Sequence, residues 1–296
     1  MELIRRLHLM REISQEARGR GRKIGLVPTM GALHDGHLSL VRRARELCDL
    51  VVVSVFVNPA QFGPNEDFDR YPRDLTRDAD LCVQEGVDYL FAPSGEEMYP
   101  PGYRTWVEVE GLSDVFEGAS RPGHFRGVAT VVLKLFNIVR PHFSFFGQKD
   151  GQQVVIVQRM IRDLNVDVEL VVCPTQRDAD GLALSSRNAY LDPDERAAAT
   201  CLYRALERAR ELIEDQGVRD ARQVEAAMRQ VIESEPLARL DYLAITDTET
   251  LERVDEIDRR VLVALAVWIG ETRLIDNMIL EPRKRGAHAT MEEGRP

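Results

Sequence analysis

The sequence is poor in cysteine and in aromatic residues, and it has no long apolar run. Of its 296 residues, four are cysteines and 6% are aromatic. The cysteines lack paired spacing, which argues against a disulfide framework and a zinc ribbon. No stretch approaches the roughly 18 consecutive apolar residues of a membrane span, and the start of the chain lacks the apolar core of a secretory signal. These absences predict a reduced, cytoplasmic protein with no membrane partner.

Basic residues are outnumbered, 39 against 49 acidic, and the net charge of −10 argues against a nucleic-acid partner. Residues 1–60 and 124–175 are nevertheless net positive, by +4 and +2, whereas residues 61–123 carry −9. The positive segments hold motifs described below. This asymmetry fits a local anion site on an acidic protein, with ordinary solvated surface as the alternative.

Three common catalytic motifs are missing from the chain. It contains no GxxxxGK[ST], which excludes a P-loop enzyme. No GxGxxG follows the first predicted strand, which counts against a dinucleotide oxidoreductase, and no GxSxG supports an α/β-hydrolase.

Alternating apolar strands and amphipathic helices predict the fold class of the first part of the chain. Residues 24–28 form an apolar run that ends at a proline, residues 38–48 have helical spacing, and residues 50–57 form a β-branched run. Further strands are predicted over 87–93, 104–109, 143–147 and 166–174, and further helices over 74–85, 127–140 and 152–163. This alternation predicts a doubly wound α/β layer around a parallel sheet.

The pattern changes after about residue 175. Asp192 and Pro193 are typical of a helix start, and a long helix is predicted from there to about Glu214. A second helix over 219–234 and short strands follow, the strands over 241–246 and 261–268. We therefore predict a domain over 1–175 and a smaller C-terminal α+β domain over 176–296, with a disordered tail from about residue 282.

Two histidines lie in the turn between the first predicted strand and its helix, in the sequence HDGH (34–37). Ligands bind at this end of an open parallel sheet, and a helix N-terminus there offers N–H groups suited to phosphate. His34 and His37 are three residues apart, so they share one face of a helical turn. No third metal ligand is nearby at suitable spacing. Phosphate binding is the favoured interpretation, and two unrelated surface histidines are the alternative.

Two later motifs repeat this combination of charge and turn. The segment FGQKD (146–150) follows a strand and offers Lys149 as a cation for phosphate and Asp150 as an acceptor for ribose hydroxyls. The segment SSR (185–187) lies near the domain junction, where two hydroxyls and an arginine can bind a polyphosphate. A solvated loop and a helix cap are the respective alternatives.

Several glutamines and one loop offer further polar groups. Gln61 follows the second predicted strand, and Gln152 and Gln153 open a helix, so their amides can face a polar substrate. The loop over 121–127 contains His124 and Arg126, which can cover an anion site. A turn glutamine and a structural loop with surface charges are the alternatives.

Taken together, these segments resemble the pantothenate synthetase (pantoate–β-alanine ligase) family. The matching segments run in the family's order over the first two-thirds of the chain: 28–44, 53–62, 67–78, 121–141, 145–153 and 180–191. Two departures are Ala60, where family members often have threonine, and Gly151, where tyrosine is frequent. Neither removes a candidate catalytic group.

The resemblance implies a Rossmann-like parallel-sheet domain of the HxGH nucleotidyltransferase type, a smaller C-terminal lid domain, and a homodimer formed through the N-terminal domain. It also implies a reaction. ATP and (R)-pantoate give pantoyl adenylate and pyrophosphate, and β-alanine then displaces AMP to give pantothenate. Mg²⁺ is expected with the ATP, and the residues that would bind the metal are left open.

The resemblance also implies residue roles. The catalytic group comprises His34, His37, Lys149, Ser185, Ser186 and Arg187, with His37 as a proton donor. The ATP-binding set comprises Met30, Gly31, Ala32, Leu33, His34, Asp35, Gly36, His37, Gly147, Gln148, Lys149, Asp150, Gln176, Leu184, Ser185, Ser186 and Arg187. Gln61 and Gln153 would bind pantoate, and Gln61 would also neighbour β-alanine.

Two other functions remain as alternatives. One is another HxGH nucleotidyltransferase that releases a nucleotidyl product without ligation. The other is a catalytically silent ATP-binding module. A relative of the aminoacyl-tRNA synthetases is disfavoured by the acidic balance of the chain.

Overall fold

A six-stranded parallel sheet forms the centre of the first part of the molecule. The computed structural model describes residues 1–64 and 66–283, so most of the tail predicted to be disordered lies outside the described residues. The strands are β1 (Glu2–Ile4), β2 (Ile24–Thr29), β3 (Leu50–Val55), β4 (Tyr89–Phe91), β5 (Phe143–Gly147) and β6 (Glu169–Cys173). Their order is β1-β4-β3-β2-β5-β6. From β2 the sheet grows in one direction through β3 to β4, and in the opposite direction through β5 to β6. The order of the strands therefore switches between β2 and β5, where their carboxyl ends leave a crevice.

Helices cover both faces of this sheet. They are α1 (Leu7–Gly19), α2 (Asp35–Leu47), α3 (Leu75–Gln84), α4 (Gly95–Met98), α5 (Glu117–Ser120), α6 (His124–Val139) and α7 (Gly151–Asp163). Alternate residues of β3 enter different apolar clusters: Leu50 and Val52 join α1, α6 and α7, whereas Val51 and Val53 join α2 and α3. This two-sided burial explains the unbroken apolar run in the sequence, and the predicted α/β layer is confirmed.

A three-stranded antiparallel sheet forms the second part. Its strands β7 (Ala238–Asp247), β8 (Val261–Ile269) and β9 (Thr272–Leu280) pair in the order β7-β8-β9. Helices α8 (Pro193–Ala198), α9 (Cys201–Arg210) and α10 (Ala221–Glu233) accompany it, and α9 and α10 pack with the strands in a separate apolar cluster. The predicted α+β character is confirmed, whereas the boundary at residues 175 and 176 stays a prediction.

Several sequence-based assignments differ from the structure. The segment 104–109 has no regular secondary structure and joins neither sheet of the described residues, and the backbone N–H of Val107 donates instead to Thr130 Oγ1 at 2.9 Å. The expected long helix begins at the capping box of Asp192 and Glu195 but is interrupted at Ala199 and Thr200. The Thr200 hydroxyl donates to the carbonyl of Ala197 at 2.8 Å, a local bond that competes with helix continuation.

Strand β9 is a further difference, because the sequence pattern does not predict it. Its centre holds Asp276 and Asn277, which have low strand propensity. Both residues are buried, and apart from one bond between Asp276 Oδ1 and the N–H of Asn277 their side chains bind partners outside the strand. The N-terminal elements β1 and α1 are not predicted either.

Polar contacts join the segment around α5 to strands β7 and β9 of the second sheet. Arg273 of β9 donates to Glu117 Oε2 at 2.6 Å and to Asp241 Oδ2 at 2.7 Å. Ser120 also donates to Asp241, at 3.1 Å. The Phe116 ring lies 5.7 Å from that of Tyr242, so the segment around α5 is held against β7 and β9. Within the described residues, no helix combines the length and apolar character that crossing a membrane requires.

We predict that Gly127→Ala destabilises the protein. A Cβ at this position of α6 would lie 2.1 Å from the carbonyl oxygen of Ala60, which is rigid backbone. We expect a loss of about 1–3 kcal/mol in unfolding free energy from this overpacking, measured by urea denaturation. Gly95→Ala is the matched control, because a Cβ there meets no atom within 4 Å. Equal stability of both variants would contradict the prediction.

Candidate active site

A cavity of about 730 Å³ opens at the carboxyl ends of β2 and β5 and extends to the second sheet. It brings together most of the candidate residues. Those that line it are Met30, His34, Gly36, His37, Gln61, Gly147, Lys149, Asp150, Gln153, Gln176, Leu184, Ser185, Ser186 and Arg187. Five others of the set do not line the cavity: Gly31, Ala32, Leu33, Asp35 and Gln148. The volume is in the range of small-molecule sites.

The two histidines of the HDGH turn form a reciprocal cap on helix α2. His34 Nδ1 accepts from the backbone N–H of Gly36 at 3.1 Å, and His37 Nδ1 accepts from the backbone N–H of His34 at 3.3 Å. Since both Nδ1 atoms accept, each neutral ring carries its proton on Nε2. Burial and nearby Lys149 lower the pKa of His34 to about 4. Burial and neighbouring His34 lower the pKa of His37 to about 3. The pair therefore offers neutral Nε2–H donors.

A buried carboxylate that was missed in the sequence holds the preceding turn. Asp78 of α3 is 1% exposed and accepts from the backbone N–H groups of Ala32 at 3.0 Å and Leu33 at 2.8 Å. Ala32 has a left-handed φ of 51°, and these two bonds hold it there. Burial raises the pKa of Asp78. Its position was readable in principle, since residues 75, 78, 79 and 82 share one helical face and the other three are apolar.

The same turn therefore has few backbone donors left for a ligand. The N–H of Gly31 donates to Thr29 Oγ1 at 3.1 Å, and those of Ala32, Leu33, His34 and Gly36 are used as described above. The expectation that backbone N–H groups of this turn bind phosphate is not supported by this geometry. The imidazoles are the groups that it presents.

The second loop, after β5, forms one 3₁₀ turn over Gln148–Asp150. Lys149 Nζ lies 3.3 Å from Asp150 Oδ1. Burial alone would raise the pKa of Asp150, but the positive charge of Lys149 holds it below its usual value. The loop thus places an ammonium group and an ionised carboxylate side by side at the cavity wall.

The third loop carries Ser185, Ser186 and Arg187 and reaches the first. Ser186 donates to the carbonyl of Ala32 at 3.3 Å, and Ser185 Oγ caps the N–H of Arg187 at 3.3 Å. Arg187 pairs with Asp67 Oδ1 at 3.0 Å. Two motifs that are distant in the sequence are therefore in contact in the structure.

The glutamines separate into different environments. Gln61 Oε1 accepts from Asn58 Nδ2 at 2.9 Å, while its Nε2 has no hydrogen bond to the described residues and remains a donor. Gln152 is occupied by the backbone of the loop that precedes α5, donating to Leu112 O and Val115 O at 2.9 Å each. Both Gln152 and Gln153 line the cavity, so the two differ in that the amide of Gln152 is already bound to backbone.

The loop over 121–127 lines the cavity through Arg121 and His124 and also supports Gln61. His124 Nδ1 donates to the carbonyl of Gln61 at 2.8 Å, and Arg121 donates to the same oxygen at 3.2 Å. Burial and Arg121 lower the pKa of His124 to about 4. Arg126 stacks on Trp106, 5.1 Å from the ring centre.

Comparison with known proteins identifies the same family that the sequence motifs indicate. The family model described as pantoate-beta-alanine ligase matches residues 2–279. A pantothenate synthetase of Moorella thermoacetica is 58% identical over 281 residues, which cover 95% of this chain and 99% of that protein. One of Thermotoga petrophila is 55% identical over 280 residues, 95% of this chain and 100% of that protein.

Solved structures agree. A pantothenate synthetase from Thermus thermophilus superposes with a TM-score of 0.90 at 49% identity, covering 95% of this chain and 100% of that one. A pantoate-beta-alanine ligase from Francisella tularensis, complexed with beta-gamma ATP and beta-alanine, has a TM-score of 0.77 at 35% identity, covering 94% of this chain and 97% of that one.

We predict that His34 and His37 stay neutral, as Nε2–H tautomers, down to about pH 5 in the ligand-free protein. The unfolded chain takes up these protons near pH 6.5, so stability is full above that pH and falls as the pH drops towards about 4. Long-range ¹H–¹⁵N spectra report the tautomers, with His34→Gln and His37→Gln for assignment. Protonated rings at pH 6 would refute this arrangement.

Proposed function

The chain belongs to the pantoate–β-alanine ligase family, and we infer that it joins pantoate to β-alanine in an ATP-dependent reaction. Pantoate attacks the α-phosphate of ATP to give pantoyl adenylate and pyrophosphate, and β-alanine then displaces AMP, forming the amide bond of pantothenate. The observation that carries this proposal is the cavity itself, where three motifs distant in the sequence converge on one site. Neither a ligation-free nucleotidyltransferase nor a silent ATP-binding module is favoured.

The first step needs charge stabilisation rather than a base. A pantoate carboxylate is already ionised at neutral pH, so the barrier lies in bringing two anions together. Lys149 and Arg187 supply positive charge at the cavity wall. His34 and His37 supply Nε2–H donors to the phosphates without carrying charge themselves. We propose that His37 acts by donating a hydrogen bond as negative charge develops.

The hydroxyls and amides would place the other substrate groups. Ser185 and Ser186 would bind the triphosphate beside Arg187. Gln61 would donate its Nε2–H to pantoate oxygens and would neighbour the incoming β-alanine, and Gln153 would bind pantoate from α7. The resemblance to the family suggests these roles, and the cavity lining and the donor left on Gln61 support them.

The candidate nucleotide-binding residues fall into two groups, those that line the cavity and those that support its loops. Met30, Gly36, Gly147, Asp150, Gln176 and Leu184 line the cavity and would contact ATP directly. Gly31, Ala32 and Leu33 shape the first turn from behind. Asp35 is the first residue of helix α2, and Gln148 is the first residue of the 3₁₀ turn after β5.

Mg²⁺ would enter with ATP. The described residues contain no group of three histidine, cysteine or acidic side chains that could hold a metal. Such a cation would keep several waters and be bound mainly by the substrate phosphates. One carboxylate, such as that of Asp150 in the loop after β5, would complete its ligands. The metal would neutralise phosphate charge, while the protein side chains orient the oxygens.

A cytoplasmic location and a division of the chain into two domains are also proposed, each from a different observation. The four cysteines are all buried and unpaired, which fits a reducing cytoplasm. The separate apolar cluster around β7, β8 and β9 supports a C-terminal lid domain beginning near residue 176.

A homodimer through the N-terminal domain is also proposed. The segment 104–109 belongs to neither sheet of the described residues, and Trp106 on it is 41% exposed. An exposed aromatic residue on such a segment suits association with a second copy.

We predict that pantoate-dependent ATP–pyrophosphate exchange occurs before any β-alanine is added, and that His37→Ala and Lys149→Ala reduce it. Removing one stabiliser of transition-state charge lowers the rate by about 10²–10³-fold, with little loss of thermal stability. The matched controls are His8→Ala and Lys23→Ala, whose side chains lie outside the cavity.

Near-wild-type exchange in both cavity variants would contradict the assigned roles. Exchange that is absent in the wild type, with ATP binding intact, would instead favour a silent module or a different acyl substrate.

We predict that the protein sediments as a dimer of its 33.6 kDa chain and that Trp106→Glu shifts it towards monomer, because a charge is desolvated poorly in an interface core. Leu237→Glu is the control, since Leu237 is an exposed apolar residue of the C-terminal part. Analytical ultracentrifugation distinguishes these outcomes, and a monomeric wild type would rule out the dimer.

A further inference from the structure

Asn277 of β9 reaches from the second sheet into the loop that carries Lys149. Its side-chain Nδ2 donates to the carbonyls of Gln148 at 2.9 Å and Lys149 at 2.8 Å. Its Oδ1 accepts from Gln148 Nε2 at 2.9 Å. Both amide protons and the oxygen are therefore used on one short loop, and the side chain is 5% exposed.

The loop itself is short. It is a single 3₁₀ turn between β5 and α7, and a turn of three residues has few internal bonds to define it. Two consecutive carbonyls bound by one amide fix the peptide planes on both sides of Lys149. These bonds thereby fix the position of the Lys149 backbone, and with it the direction in which the side chain leaves the loop, relative to the cavity.

Asn277 is itself held firmly. It pairs with Ala264 of β8 in the antiparallel ladder, and its backbone N–H donates to Asp276 Oδ1 at 2.8 Å. Asp276 also binds Arg177, through Nη2 at 2.9 Å and through a second bond from Nη1 at 2.5 Å. Arg177 in turn donates to the carbonyl of Gly181 at 3.0 Å.

The dipeptide at 276–277 therefore supports two of the three cavity loops at once. Asn277 holds the loop over Gln148–Asp150, while Asp276 holds the segment that leads into the Ser185–Arg187 motif. The sheet that carries them contributes no candidate residue of its own to the ATP set.

We propose that Asn277 is a positioning residue for ATP binding, which acts by holding Lys149 in the orientation that meets the phosphates. This rests on the proposed function, in which Lys149 binds ATP. Without the amide, two buried carbonyls lose their partner and the loop samples other conformations, so part of the binding free energy is spent on ordering it. The affinity for ATP falls as a result, while groups on other loops are unaffected.

The test uses Asn277→Leu and Asn277→Asp, with ATP binding measured by calorimetry and KM values measured in the complete reaction. We expect Kd and KM for ATP to rise by about tenfold, with KM for β-alanine unchanged. Asn277→Asp keeps the side-chain shape but places a carboxylate against two carbonyl oxygens, so it remains informative if the leucine variant folds poorly. Val263→Ala is the control, because Val263 is buried in the same sheet on the apolar side and should lower stability alone.

A double-mutant cycle separates positioning from general damage. In a Lys149→Ala background, Asn277→Leu should weaken ATP binding much less than it does in the wild type, because both changes act through one side chain. Additive effects, or unchanged ATP affinity in both Asn277 variants, would overturn the proposal. Loss of exchange in the wild type would refute the proposed function instead, and calorimetry would still report on the loop.

Discussion

The hydrogen bonds from Ala32 and Leu33 to the Asp78 carboxylate are the contacts on which the geometry of the first cavity loop depends. They use the two N–H groups of the turn that immediately precedes the N-cap of helix α2, so these donors do not face the cavity. Helix α2 is capped by its own histidines. The loop therefore presents two imidazole Nε2–H groups, whose position is set by backbone bonds on the opposite ring nitrogen. A charge-free pair of donors suits a site that must accept several phosphate charges and also release the product.

Carboxylates accompany most of the cations at this cavity. Lys149 lies beside Asp150, Arg187 pairs with Asp67, and Arg121 pairs with Glu66 at 2.7 Å. The strongly acidic stretch over 61–123 supplies Asp67 and Glu66 to these pairs. The acidic segment folds across the positive loops and balances them. An anionic substrate then competes with these carboxylates for the cations, so binding is an exchange of partners rather than the filling of a purely positive site.

Much of this arrangement was predictable from sequence, and the exceptions have physical reasons. Strand β3 and the HDGH turn were predictable because burial on two faces and a short polar turn leave clear local patterns. Leu33 was expected at the nucleotide, yet it is 1% exposed in the core, since a motif shows which residues are adjacent but not which way each points. Asp78 and Asn277 were missed because their roles come from partners far away in the chain. Gln152 and Gln153 are adjacent and identical, so local pattern alone does not distinguish them; the family resemblance singles out Gln153, and the structure shows the amide of Gln152 bound to backbone.

The contact between Asn277 and the loop after β5 joins positions that are 129 residues apart, with the second close to the end of the described chain. During synthesis, all three cavity loops leave the ribosome well before strand β9 does. At about 5–20 residues per second, several seconds separate the two events. A nascent or prematurely terminated chain can thus form the parallel sheet while its Lys149 loop is still unsupported. The Lys149 loop therefore gains the support of Asn277 only after strand β9 has been synthesised.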